Sequence, residues 1–369
     1  MASKPRLSDE LVYVRGDELA LRRELRGDHF VIVDAAGGEP VGDPETLARV
    51  ESLRIPPAWS DVWIAAQPDA HLQATGFDAK GRRQYRYHPA WRERRDAEKF
   101  DDMLRFAGRL PDVRAVIYRL LEAVEGVQRE RTLALAVRLL DIGFFRVGWD
   151  RYARDNGHVG LTTLRRDQVA LGRDDTVQFD YVAKAGKRRR MTVRDPQAAR
   201  ALRPLARRRD GPAELLVFRP ATTPPEWRRV QAADVNNALR CWARGPFSAK
   251  EFRTWAATVL AAAALAREAA AGRRGKRAVS RAVREVSLAL GNTPTVARAS
   301  YVDPRVIDAF EEGTTIELPA NLPPAAVPLR VDAGEDGIVI ELPTHVDGDA
   351  LRLGVERRVL ELLRERAGA

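Results

Sequence analysis

Cysteine is nearly absent from this chain of 369 residues, which holds one, Cys241, beside three methionines and five histidines. A single cysteine excludes an internal disulfide and makes a thiolate-based metal site untenable. We expect Cys241 to be a small core residue. The histidines are scattered and lack the spacing of metal ligands, so we predict no metal site. They are His29, His71, His88, His158 and His345.

Long apolar runs and nucleotide-binding loops are also missing. No segment approaches the roughly 18 consecutive apolar residues that span a bilayer. The first residues, MASKPRLSDE, lack the apolar centre of a secretory signal. We therefore expect a cytoplasmic, nucleoid-associated protein with no membrane partner. Without a GxxxxGK[ST] loop, we predict no dependence on ATP and no cofactor.

Positive charge is what this sequence has in excess. Lys and Arg number 62 against 52 Asp and Glu, which gives a net charge of +10 and a pI of about 10.1. Residues 302–369 hold seven basic and 14 acidic side chains, so residues 1–301 carry +17. This charge favours nucleic acid as the partner, although an anionic membrane surface also attracts basic proteins.

Length and patterning predict an α+β protein of two domains and an appendage. Residues 1–98 carry short β-type runs such as HFVIVD and VWIAA between turns, which predicts a β-rich amino-terminal domain. Residues 99–310 show apolar residues at helical spacing and predict a mainly α-helical domain with a small β-hairpin or sheet. Residues 311–369 contain a Pro-rich stretch, a predicted hairpin and a predicted terminal helix, and we expect an acidic carboxy-terminal appendage.

A hairpin is predicted inside the helical domain. The β-type segments TVQFDYVAK and KRRRMTV flank Ala185 and Gly186, a pair suited to a tight turn. Lys184 would lie at the tip of this hairpin.

Two helix starts are marked by capping residues. Ser248 and Glu251 match a capping box, which predicts a long Ala-rich helix with Arg253 in its first turns. Thr293 and Pro294 suit the cap and first position of a short helix that leads to Tyr301.

The polar residue types present can break a phosphodiester without a metal. That reaction requires a nucleophile, cations that neutralise the transition state, and an acid for the leaving oxygen. Tyrosine, arginine and lysine can supply all three roles.

Four segments resemble the catalytic domain of type IB DNA topoisomerases, in the order and spacing of the poxvirus-like and bacterial branch. They are GFFRVGWDRYARDNGHVGLTTL, FDYVAKAGKRRRM, KEFRTWAATVLAA and LGNTPTVARASYVDP. Upstream, PPAWSDVWIAAQPDAHLQATGFDAKGRRQYRYHPAWR resembles the amino-terminal domain of the same branch, so the likeness covers roughly residues 50–305. It implies two lobes that close as a clamp around duplex DNA.

The resemblance implies a role for each catalytic residue. Tyr301 in ARASYVDP corresponds to the nucleophile, and Arg146 in GFFRVG and Arg253 in KEFRTW to the two phosphate-binding arginines. Lys184 corresponds to the general acid that protonates the departing 5′ oxygen, and its nearest rival for that role is Lys187.

Asn292 is where the sequence departs from the family pattern, because many relatives have His in the corresponding GHT motif. An asparagine amide still donates a hydrogen bond to a nonbridging phosphate oxygen, but it carries no positive charge. We therefore retain Asn292 as the fifth catalytic residue.

The DNA-binding residues are also carried over from the resemblance. Gln84, Tyr85 and Tyr87 in RRQYRYHP resemble DNA contacts on a strand of the amino-terminal domain. Since Tyr85 and Tyr87 alternate with Arg86, both rings should face one side of that strand, where core packing is the competing interpretation. Tyr152 resembles another DNA-facing residue. Lys250 shares a helix face with Arg253.

The function implied is relaxation of supercoiled DNA by a monomer, through a 3′-phosphotyrosyl intermediate. A tyrosine recombinase shares this chemistry, but it typically has HxxR at the second arginine, where this chain has Lys250-x-x-Arg253. A catalytically silent DNA-binding protein, with Asn292 marking lost activity, is the third hypothesis.

Overall fold

The amino-terminal part of the chain is built on a five-stranded antiparallel sheet, with strand order β4-β3-β5-β6-β7. The computed structural model describes residues 6–8, 11–150, 157–220, 226–318, 330–334, 337–342 and 346–368. The strands are β1 (Arg6–Ser8), β2 (Leu11–Val12), β3 (Leu21–Arg26), β4 (His29–Asp34), β5 (Ser60–Ile64), β6 (Leu72–Phe77) and β7 (Arg83–Tyr87). A short helix, α1 (Pro44–Ser52), accompanies them. The predicted β-rich start is thus confirmed.

Close packing at the centre of this sheet depends on a glycine. A Cβ on Gly76 would lie 3.0 Å from Val62, 3.1 Å from Trp59 and 3.2 Å from the Ser60 carbonyl. These distances leave no room for a side chain on β6 where it pairs with β5.

The chain divides into two compact units, Met1–Lys99 and Phe100–Ala369. The division falls within α2 (Pro89–Ala123), a helix of 35 residues. The second unit is mainly helical, as predicted. Its other helices are α3 (Arg129–Gly143), α4 (Pro196–Arg207), α5 (Ala232–Ala243), α6 (Ala249–Ala270), α7 (Gly275–Leu290), α8 (Pro294–Ser300), α9 (Pro304–Glu311) and α10 (Val346–Ala367).

The helix ends follow the capping residues read from the sequence. Ser248 and Glu251 form the predicted capping box of α6, with the Ser248 amide donating to the Glu251 carboxylate at 2.9 Å. Thr293 caps α8, and Pro294 is its first residue. Both predictions are confirmed. In each cap, a side-chain oxygen accepts a hydrogen bond from an amide that the start of a helix leaves unpaired.

A second five-stranded sheet lies in the helical unit, with strand order β13-β14-β10-β9-β8. Its strands are β8 (Val169–Leu171), β9 (Thr176–Val182), β10 (Arg188–Arg194), β13 (Arg330–Gly334) and β14 (Gly337–Leu342), and a separate pair is formed by β11 (Val217–Phe218) and β12 (Arg228–Arg229). The predicted hairpin is confirmed, since β9 and β10 pair antiparallel and residues 184–186 form the turn. The C-terminal hairpin joins this sheet through β14, which runs parallel to β10.

A buried ionic cluster ties α10 to the helical unit. Arg114 donates to the Asp141 carboxylate at 2.8 Å and to the Glu356 carboxylate at 2.7 Å. Arg352 also contacts both carboxylates. The predicted appendage, 311–369, therefore supplies two strands and a helix to the second compact unit.

The expectation that Cys241 is a core residue is wrong, because its side chain is exposed on α5. Tyr152 lies outside the described residues. Among the described helices, none combines the length and apolar character needed to cross a bilayer.

Candidate active site

Tyr301 lies at the end of α8, beneath a guanidinium group. The Cζ atom of Arg253, on α6, is 5.4 Å from the centroid of the Tyr301 ring. The Tyr301 carbonyl accepts a hydrogen bond from Thr258 on α6 at 3.3 Å. Two helices thus hold the phenol next to a positive charge.

Arg253 is buried, at 3% exposure, and it joins the ends of two helices. Its Nη1 donates to the carbonyl of Phe144, which follows α3, and its Nη2 donates to the carbonyl of Leu290 at the end of α7, at 2.9 Å. The carbonyl ends of helices carry partial negative charge, which favours a cation there. The Arg253 Nε finds no hydrogen-bond partner among the described residues.

Arg146 and Asn292 form a side-chain pair. The Nη2 of Arg146 donates to the Asn292 side-chain oxygen, and Arg146 lies two residues beyond Phe144. The Asn292 amide nitrogen is buried and has no partner among the described residues. Burial of an unpaired amide donor is costly, so this arrangement is suited to an acceptor that arrives with a ligand.

The Tyr301 hydroxyl has an altered acidity. Burial alone would raise its pKa, but the positive charges of Arg253, Arg146 and Lys250 outweigh burial and lower the pKa below the ordinary value. A phenol ordinarily has a pKa of about 10. The neighbouring cations therefore favour the phenolate, which is the nucleophilic form.

A third guanidinium, that of Arg189 on β10, belongs to this group. Its side chain is 2% exposed, and its Nη2 donates to the Ala289 carbonyl at 2.8 Å. Burial, followed by the charge of Arg146, lowers the pKa of Arg189; burial and the charges of Arg146 and Arg189 lower the pKa of Arg253. No ion pair joins any of the three guanidiniums to a carboxylate in the described part of the chain. Such an uncompensated cluster is suited to an anion.

Sequence reasoning missed Arg189, although a pattern pointed to it. In β10, side chains alternate between buried and less buried, and Arg189 falls on the buried face with Met191 and Val193. Alternation along KRRRMTV therefore indicated that the middle arginine faces inward. The motif alone was uninformative because three adjacent arginines ordinarily indicate a solvated surface.

The three candidate lysines are exposed, unlike the buried Arg189 and Arg253. Lys184 is exposed in the turn between β9 and β10, and no described residue forms a hydrogen bond or ion pair with it. Lys187, the alternative acid, is also exposed in this connection. Lys250 is exposed in the first turn of α6, where its charge reaches Tyr301. The structure thus gathers Tyr301, Arg253, Arg146 and Asn292, with Lys184 on a separate exposed turn.

The three residues predicted to contact DNA in the first unit lie on β7. The rings of Tyr85 and Tyr87 are stacked, with centroids 6.0 Å apart and 16° between planes, so they face one side as predicted. Tyr85 is 45% exposed, whereas Tyr87 is partly buried near His71. Gln84 donates to the Asp78 carboxylate at 2.9 Å. Packing thus accounts for part of the Tyr87 surface, while the Tyr85 ring, with the Arg83 Cζ 5.9 Å from its centroid, stays partly exposed.

Among the described residues, no cluster of three or more His, Cys, Asp or Glu side chains is arranged to hold a metal ion.

Two family profiles match the chain. The profile described as "Eukaryotic DNA topoisomerase I, catalytic core" matches residues 88–314, and that described as "Bacterial DNA topoisomerase IB, N-terminal domain" matches residues 29–78. DNA topoisomerase 1B of Acanthamoeba polyphaga mimivirus is 26% identical over 294 residues, which cover 78% of this chain and 87% of the viral protein. All five predicted catalytic residues fall within the first match, while Gln84, Tyr85 and Tyr87 lie between the two.

Proposed function

This chain belongs to the type IB DNA topoisomerases, enzymes that relax DNA through transient cleavage, and on that premise we propose that Tyr301 is its nucleophile. The observation that carries the proposal is the Tyr301 phenol beneath Arg253, with its pKa lowered by cations. The family match favours relaxation over the strand exchange of a recombinase.

Cleavage begins with attack by the Tyr301 oxygen on a backbone phosphorus. A bond forms between that oxygen and phosphorus, the bond from phosphorus to the 5′ oxygen breaks, and the phenol proton leaves to solvent. Arg146 and Arg253 bind the nonbridging oxygens as negative charge accumulates on them. The unpaired amide of Asn292 donates to one of the same oxygens.

Lys184 protonates the departing 5′ oxygen in this proposal. The turn that carries it is exposed, so it can approach bound DNA without disturbing the buried arginines. A lysine ammonium has three donors and no acceptor, which suits the role of an acid. Lys187 lies within the same connection and is the control residue for this assignment.

Resealing is the same reaction in reverse. The free 5′ hydroxyl attacks the 3′-phosphotyrosyl phosphorus, and Tyr301 leaves with a proton. One ester bond is made for each one broken, so the cycle needs no energy from ATP. The cations already present can stabilise the transition state without a metal.

Duplex DNA binds mainly through charge in this proposal. The excess of positive charge lies in residues 1–301, and phosphate contacts supply most of the affinity of such proteins. Gln84, Tyr85, Tyr87 and Lys250 extend the DNA-binding surface, as does Tyr152. Closure of both units around the duplex, action as a monomer and a cytoplasmic location stay predictions, as does the division of the chain at residues 98 and 310.

Denaturant trapping on supercoiled DNA tests the nucleophile. Tyr301→Phe should bind DNA with unchanged affinity but form no covalent adduct and relax no supercoils. Tyr118→Phe is the matched control, because the Arg138 guanidinium lies 5.2 Å from the Tyr118 ring centroid, but that arginine is paired with Asp195 at 2.7 Å. An adduct formed by Tyr301→Phe, or lost only in Tyr118→Phe, would refute the assignment.

A further inference from the structure

All four carbonyls at the C-terminal end of α7 accept hydrogen bonds, and the turn that ends this helix carries Asn292. The amide of Asn292 donates to the Ser287 carbonyl at 2.9 Å, and that of Gly291 donates to the Leu288 carbonyl at 3.1 Å. Gly291 has φ of 65°, the left-handed conformation that ends many helices. Two of the four carbonyls that a helix end leaves unpaired are thus satisfied by the backbone.

Buried arginines satisfy the other two carbonyls. Arg189 donates to the Ala289 carbonyl at 2.8 Å, and Arg253 donates to the Leu290 carbonyl at 2.9 Å. Arg253 binds the phosphate in the proposed reaction, whereas Arg189 has no role in it.

Arg189 also packs directly against the turn that carries Asn292. A Cβ on Gly291 would lie 2.5 Å from the Arg189 Nη1, so the guanidinium occupies the space beside the Gly291 Cα. The Nη1 and Nε atoms of Arg189 have no partner among the described residues. A guanidinium that is buried without a carboxylate costs free energy. Arg189 bears this cost at a position where its guanidinium contacts the end of α7 and lies near Arg146.

The same residue links this turn to the predicted general acid. Arg189 follows Lys184 by five residues and lies on β10, opposite Tyr181 of β9. Its bond to Ala289 therefore connects the turn end of the Lys184 hairpin with the end of α7.

We infer that Arg189 is a positioning residue for DNA cleavage, which holds the Gly291–Asn292 turn so that the Asn292 amide faces the phosphate. The inference rests on the proposed role of Asn292. Without Arg189, the Ala289 carbonyl loses its donor and the space beside Gly291 opens, so the turn can shift and Asn292 can separate from Arg146. Arg189 thus acts through Asn292.

A double-mutant cycle on single-turnover cleavage tests this. The proteins are wild type, Arg189→Met, Asn292→Ala and the double variant, all at saturating enzyme. We expect each single change to slow cleavage about tenfold or more, and the double variant to be no slower than the slower single variant. Residues that act through one contact show such non-additivity. Arg189→Lys keeps one donor for the Ala289 carbonyl and should restore most of the rate.

Arg188→Met is the matched control. It removes the same charge one position earlier on β10, where the side chain is exposed and pairs with Asp180 at 2.7 Å, and its cleavage rate should stay within twofold of wild type. Should Arg189→Met prove unfolded by thermal denaturation, the cycle is run with Arg189→Gln, which removes the positive charge and shortens the side chain while it keeps a polar N–H donor. A double variant slower by the product of the single effects would overturn the inference, as would a fast Arg189→Met. A fast Asn292→Ala beside a slow Arg189→Met would refute both the inference and the role of Asn292, while leaving the Tyr301 adduct intact.

Discussion

Arg146 donates a hydrogen bond to the Asn292 side-chain oxygen, and this pairing turns the Asn292 amide nitrogen into a buried donor without a partner among the described residues. The arginine thus fixes which end of the amide is available. An amide oriented in this way offers an N–H where many relatives have His. The substitution is therefore compatible with binding a phosphate oxygen, and the orientation can be tested.

Asn292→Ala should cleave about tenfold or more slowly, because a hydrogen bond to a charged group contributes about 1.5–3 kcal/mol. Asn292→His should keep substantial activity, and its rate should rise as pH falls through the His pKa, which is about 6.5 when unperturbed. The measurement is single-turnover cleavage from pH 5 to 9.

Asn237 offers a matched control for these changes. Its side-chain oxygen also accepts from an arginine, Arg240, at 2.8 Å, but on the exposed surface of α5. Asn237→Ala should cleave at the wild-type rate. Equal rates for wild type and Asn292→Ala at every pH would show that Asn292 serves only to end α7.

Lys184→Ala should cleave ordinary DNA slowly and recover on DNA whose 5′ leaving oxygen is replaced by sulfur. A thiolate is the better leaving group, so it needs no acid. Lys187→Ala, from the same exposed connection, should show neither the loss nor the selective recovery. If only Lys187→Ala recovers, the acid has been assigned to the wrong lysine.

Arg253→Ala and Arg146→Ala should both slow cleavage by about a hundredfold or more, since each loses a charged donor to the transition state. Their stabilities should differ. Arg253 also satisfies the Phe144 and Leu290 carbonyls, and leaving buried carbonyls unpaired costs about 1–3 kcal/mol each. Thermal denaturation should show a lower Tm for Arg253→Ala only. A stable Arg253→Ala would contradict the bridging role.

Glu356→Gln should lower the free energy of unfolding at pH 7 by about 3–5 kcal/mol, the cost of breaking one partner of a buried ion pair. Glu361→Gln is the control on the same helix. Glu361 is exposed, and its carboxylate lies 3.9 Å from Arg357, so its loss should cost less than about 1 kcal/mol. Urea unfolding of both variants gives the two values. Equal stabilities would mean that the Arg114 cluster contributes little.

The contribution of the Glu356 carboxylate to the free energy of unfolding should be lost at low pH. Burial alone would raise the pKa values of Asp141 and Glu356, but Arg114 and Arg352 outweigh burial and lower both. A carboxyl whose pKa is lower in the folded state stabilises the protein above its unfolded pKa, and that stability is lost as pH falls. The difference between wild type and Glu356→Gln should therefore be constant above about pH 5 and shrink below pH 4.5, the ordinary value for Glu. A difference that grows in acid would contradict this.

Local sequence patterns determined which segments form helices or strands, and where several of these elements begin or end. The capping box at Ser248, the cap at Thr293 and the hairpin around Gly186 depend on contacts between residues close in the chain, which sequence expresses directly. The resemblance of four catalytic segments identified the family and its function, as the matches over residues 29–78 and 88–314 bear out. The same local patterns misplaced Cys241, because burial on a helix depends on what packs against it.

Only the tertiary structure decided how the site is assembled. The bond from Arg189 to Ala289 joins residues 100 positions apart, and that from Arg114 to Glu356 joins residues 242 positions apart. Propensity and spacing act over a few residues, so they cannot predict such pairs. The sequence by itself thus determined the family, the nucleophile candidate and the helix that leads to it. Only the folded chain shows that Arg146, Arg189 and Arg253 lie together with no ion pair to a carboxylate among the described residues. Sequence could not predict this, because burial depends on which distant elements exclude water.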